Sequence, residues 1–166
     1  LADALTQAGG DIDPDQRGAL AELSAGSVGE AFRLTNLSGL DTYRDLVALL
    51  ATLPRLDRTR ALALSETAGA RGAEDRFDLT LTQIDQFLAR LARAAATRTT
   101  APEAAPGEAA LFARLAPGPA AARPWADLAQ SLTLRARRGR AVNLDPAALL
   151  MDTLLRIDAT AGQLAP

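Results

Sequence analysis

Apolar side chains recur along this chain with the period of helices. The clearest run is Phe77, Leu81, Ile84, Leu88, Leu91 and Ala95, three or four residues apart, with Asp78, Thr82, Gln83, Asp85, Gln86, Arg90 and Arg93 on the opposite side. This spacing predicts one long amphipathic helix with a single buried face. Upstream, Tyr43, Leu46, Val47 and Leu50 follow the i, i+3, i+4, i+7 rule, and Pro54 stops that helix. Downstream, Trp125, Leu128, Ala129, Leu132 and Ala136 form another stripe, which ends in Arg135, Arg137, Arg138 and Arg140. The last stripe is Leu150, Met151, Leu154 and Ile157. Leu149 and Leu155 widen its apolar face, so this helix is expected to pack against more than one neighbour, and the two leucines are candidates for a subunit interface.

Polar punctuation divides these stripes. Asp13-Pro14 and Asp145-Pro146 are helix starts, because the aspartate accepts from an orphan N–H and proline has none to lose. Asp57 is placed to cap a further helix that runs through Leu62 and Leu64 to Gly69. Ser27-Val28-Gly29-Glu30 reads as a capping box, the serine accepting from the Glu30 N–H and the glutamate reaching back to the Ser27 N–H. Gly39 is expected to close the helix that follows. Leu1 to Ala8 reads as the tail of a helix ending at Gly9 and Gly10, with something cut away upstream. Between Thr97 and Ala122, Pro102, Pro106, Pro117 and Pro119 confine helix to a short piece around Leu111 to Leu115, within what is otherwise a connection. No segment alternates with period two, and aromatics are 4% of the chain, so the expected fold is all-α.

Composition narrows the chemistry. At 166 residues and 48% hydrophobic the chain has the size of about one domain. It contains no cysteine and no histidine, and all 18 basic residues are arginine. That inventory excludes Ser-His-Asp and Cys-His sites, a Schiff base, a P-loop lysine and a tetrahedral zinc site. Carboxylate chemistry or a hard cation remains open, but Glu74 and Asp75 read as first-turn helix residues, and no catalytic residue, metal or cofactor is expected. A net charge of −2 offers no global attraction to nucleic acid or anionic membrane. The lack of cysteine, of a signal segment and of a long apolar run points to the cytoplasm and away from membranes.

Two stretches carry a resemblance. Leu20-Ala-Glu-Leu-Ser-Ala-Gly-Ser-Val-Gly-Glu-Ala-Phe-Arg-Leu34 resembles the lid segment of AAA+ clamp-loader ATPases, in which a Gly-Ser turn between two helices precedes the second sensor position. Its lid-turn residues here are Gly26, Ser27, Gly29 and Glu30. Members that hydrolyse ATP typically carry an arginine where this chain has Gly29, and a glycine there is similar to the delta-prime subunits, which keep the fold without hydrolysis. Val142-Asn-Leu-Asp-Pro-Ala-Ala-Leu-Leu-Met-Asp-Thr-Leu-Leu-Arg-Ile157 is similar to the terminal helix of the same subunits.

The resemblance implies short lid-domain helices over residues 1–37, followed by a helical-bundle collar domain over 38–166. It also implies partners: the gamma/tau and delta subunits in a hetero-pentamer, with DNA met only through the complex. The parent assembly would be the DNA polymerase III holoenzyme, a DNA-directed DNA polymerase and nucleotidyltransferase, with this piece contributing no catalysis to the loading of the sliding clamp during replication. The alternatives are the collar of the ATPase (gamma/tau) subunit, against which Gly29 argues, and an unrelated helical adaptor bundle.

Blander readings stand beside these. Capping alone accounts for Ser27, Gly29 and Glu30, and no nucleotide is expected to bind there. The arginines at the end of the Trp125 helix suit a solvated helix C-terminus better than a DNA site. Trp125 is expected to anchor the core.

Overall fold

A computed structural model describes residues 14–24, 27–99 and 102–165. Among the described residues there are helices and no strands, so the fold is all-α. In chain order they are α1 (Pro14–Ser24), α2 (Val28–Asn36), α3 (Gly39–Leu50), α4 (Arg58–Ala68), α5 (Glu74–Thr97), α6 (Glu108–Leu115), a 3-10 turn (Pro119–Ala121), α7 (Ala122–Ala141) and α8 (Pro146–Leu164). The segment Leu1 to Ala8, Asp13 and Gly26 lie outside the described residues.

Helix α5 is the axis of the molecule and packs against α3, α4, α6, α7 and the 3-10 turn. Phe77, Ile84, Leu88, Leu91 and Ala95 are buried as their spacing predicts, but so are Leu79, Thr80, Gln83, Phe87 and Arg90 on the adjoining side. The expectation that Gln83 and Arg90 lie on a solvated face is therefore corrected: α5 is covered over a broad arc. Tyr43, Leu46, Val47 and Leu50 of α3 are all buried.

Several ends follow their sequence signals. Asp57 Oδ1 accepts from the Arg60 N–H at 3.1 Å, and Asp145 Oδ2 from the Ala148 N–H at 2.8 Å. Helix α4 turns a face of small residues, Ala61, Ser65 and Ala68, inward, and it packs on α8. Leu62 is exposed. At the close of α4 a Cβ on Gly69 would lie 2.5 Å from the Ala147 nitrogen, so only glycine lets the two backbones approach this closely.

Gly39 does not end α2. Leu37 is the C-cap, Ser38 takes the left-handed conformation at φ 53°, and Gly39 opens α3. Glycine is needed there for contact: a Cβ would meet Leu34 Cδ2 at 2.7 Å and Leu34 Cα at 2.9 Å. The boundary expected at Leu37 falls in this turn, yet Leu20, Leu23 and Leu34 share one buried cluster with the later helices.

Residues 102–122 of the proline-rich stretch are no loose connection. Helix α6 begins at Glu108, earlier than expected, and Ala104, Ala105, Leu111, Phe112, Leu115 and Ala121 are buried. Phe112 meets Phe87 edge to face, with ring centroids 5.3 Å apart. Trp125 is fully buried, and its indole N–H donates to the Leu115 carbonyl at 3.0 Å.

Candidate functional site

Two places are candidates for function on sequence, the arginine run ending α7 suits a solvated helix end, and a fourth place is not foreseen. At the lid turn, Ser27 Oγ accepts from the Glu30 N–H at 3.3 Å, which is the forward half of the capping box. The return half is absent: the Ser27 N–H donates to the Ser24 carbonyl at 2.8 Å, and Glu30 Oε2 lies 3.7 Å from Arg33 Nη1. The Ser24 carbonyl occupies the donor that the glutamate would need. A Cβ on Gly29 would touch only Ser27 Oγ, at 4.0 Å, so packing does not require glycine at that position.

In the terminal helix the two candidate interface leucines part company. Leu149 is buried against Gly139 of α7, whose added Cβ would sit 2.8 Å from Leu149 Cδ2. Leu155 is 37% exposed. Of the pair, only Leu155 is on a free surface of the chain. Leu134, Val142 and Leu144, on α7 and in the α7–α8 connection, are exposed as well.

The arginines ending α7 are partly engaged. Arg140 Nη1 pairs with Asp78 Oδ1 at 2.5 Å and Arg135 Nη2 with Asp152 Oδ2 at 2.8 Å, tying α7 to α5 and to α8. Arg137 and Arg138 are exposed. Asp152 also receives Arg156 Nε at 2.9 Å. Partial burial raises its pKa, but the hydrogen bonds from Arg156 and Arg135 outweigh that and hold it below its ordinary value.

The unforeseen place is a buried polar cluster. Arg90 donates through Nε to Glu108 Oε1 at 3.1 Å and through Nη2 to Glu108 Oε2 at 3.0 Å, a bidentate pair. Its Nη2 also reaches the Pro102 carbonyl and its Nη1 reaches Glu22 Oε2, both at 2.7 Å. Glu108 is 1% exposed, and its carboxylate further accepts from the Ala104 N–H at 2.8 Å and from the Tyr43 hydroxyl. Burial, followed by the Glu108 charge, pushes the Tyr43 phenol far above its ordinary range. Burial works against the Arg90 cation, but the hydrogen bonds and charge of Glu108 prevail and raise its pKa.

This cluster ties four parts of the chain together: the Arg90 guanidinium of α5 holds Glu22 of α1 and the 102–108 stretch, and Glu108 in turn holds Tyr43 of α3. Apart from Glu22, whose side chain is 30% exposed, it is shielded from solvent, and its donors point at protein acceptors, so its work is structural. The sequence carried one trace of it. Leu79 and Phe87 lie outside the main stripe of α5 and flank Gln83 and Arg90, which marks that side as covered.

Among the described residues no group of three or more acidic side chains is placed to hold a metal ion, and no helix is long and apolar enough to cross a membrane. Comparison with protein-family models, with curated proteins and with solved structures finds no match. The fold therefore defines the class, an all-α helical protein, and nothing narrower.

Proposed function

We propose that this chain is a non-catalytic assembly module, and that it takes the place of the delta-prime subunit in a bacterial clamp loader, where it holds neighbouring ATPase and delta subunits while the sliding clamp is loaded on primed DNA. The observation that carries the reading is the order of the two similar stretches, Leu20 to Leu34 near the start and Val142 to Ile157 near the end. Gly29 supports the choice of subunit: a Cβ there would meet only Ser27 Oγ, at 4.0 Å, so no packing demand accounts for the glycine. The lack of histidine, cysteine and lysine is consistent with association in place of chemistry.

In this reading the contacts are made by exposed apolar side chains of α8 and of the α7–α8 connection, Leu155, Val142 and Leu144 among them. The cytoplasm is the compartment it requires. Two measurements test it together. Calorimetric titration with ATP should show no saturable binding, and Leu155→Glu should weaken capture by immobilised clamp-loader ATPase subunits without changing the melting temperature. Saturable ATP binding would contradict the reading, and indifference to ATPase subunits in the unaltered chain would favour an unrelated helical adaptor.

A further inference from the structure

The hairpin of α1 and α2 is joined to the remaining helices by a seam of polar contacts. From α5, Gln86 donates through Nε2 to the Leu23 carbonyl at 2.7 Å, and Arg90 reaches Glu22 at 2.7 Å. Both side chains sit on one edge of that helix, four residues apart. The apolar part of the attachment is four fully buried side chains in the common core, fewer than α5 supplies, with Leu34 packed against Gly39 of α3. Helix α1 contributes Leu20 and Leu23 and α2 contributes Ala31 and Leu34, whereas α5 alone buries Phe77, Leu79, Ile84, Phe87, Leu88 and Leu91.

The chemistry of the seam is asymmetric. Arg90 is held by Glu108 and by the Pro102 carbonyl independently of Glu22, so the guanidinium keeps its counter-charge when α1 departs. The Glu22 side chain is 30% exposed, and water can take over its hydrogen bonds. Separation there strands no buried charge. Breaking Arg90 from Glu108 would.

We propose that the α1–α2 hairpin is a latched unit that opens from the core while α3 to α8 stay folded, with the Glu22–Arg90 and Gln86–Leu23 contacts as its catch. A partner that binds the open or the closed form would shift the equilibrium accordingly. The proposal does not rest on the clamp-loader reading and stands if that fails.

Hydrogen exchange resolved by mass spectrometry tests it on the whole chain. Amides of α1 and α2 should exchange as one group and faster than those of α5. Glu22→Ala should speed the exchange of both hairpin helices by about tenfold and leave α5, α6 and α7 unchanged. Gln86→Met should act in the same direction, and Asp152→Asn, on the far side, should leave the hairpin rates as they were. The proposal is overturned if the hairpin exchanges at the rate of α5, if Glu22→Ala has no effect, or if it speeds every helix alike.

Discussion

Replacing Glu108 by glutamine keeps the shape of the side chain and removes its charge. In the folded chain Arg90 is 8% exposed and Glu108 1% exposed, so the substitution leaves the guanidinium facing one neutral carbonyl oxygen and one NH2 donor in place of two carboxylate oxygens, in a site water scarcely reaches. Losing one partner of a buried ion pair costs about 3–5 kcal/mol, because the remaining charge is uncompensated. Glu22 and the Pro102 carbonyl still accept from Arg90, which argues for the lower half of that range. For a chain of this size, each kcal/mol lowers the melting temperature by about 2–4 °C, giving a fall of about 6–16 °C. Urea denaturation followed by circular dichroism measures the free energy directly. The same substitution in an Arg90→Met background should cost much less, because no buried cation is left behind. A cost under about 1 kcal/mol for Glu108→Gln, or an equal cost in both backgrounds, would refute the view that this pair fastens the fold.

Tyr43 is the only tyrosine, so phenolate absorbance reports on it alone. Its raised pKa favours the neutral phenol in the folded state; stability should be intact below about pH 10 and fall as pH rises beyond it, with phenolate appearing together with loss of helix. Gly69→Ala should destabilise by about 1–3 kcal/mol in urea unfolding, since the added methyl meets the Ala147 backbone and not a movable side chain. Leu149→Asn should lower the melting temperature sharply, whereas Leu155→Asn should leave it nearly unchanged, because only the first is buried.

The helices were legible in the sequence where local signals and one-sided burial coincide. Asp57, Asp145, Trp125 and the α3 stripe behave as their neighbours in the sequence imply. The signals failed where tertiary contact decides. Gly39 looks like a helix stop, and only the closeness of Leu34 shows why a glycine opens the next helix. Glu30 has the spacing for a full capping box, but the Ser24 carbonyl claims the Ser27 donor first. Arg90 and Glu108 are eighteen residues apart and charged, so periodicity assigns the first to solvent and the prolines assign the second to a loop. Burial of both follows from where α6 docks, which no local pattern encodes. The same holds for Leu149 and Leu155: widening of the stripe was visible, but which leucine faces α7 depends on the approach of Gly139.

The central claim, assembly with clamp-loader subunits, is tested most directly by sedimentation of this chain mixed with purified ATPase and delta subunits from the same source. The account predicts a single hetero-pentameric species containing one copy of this chain, formed without added nucleotide bound to it. Separate sedimentation of this chain, under conditions where the other subunits associate with one another, would contradict it.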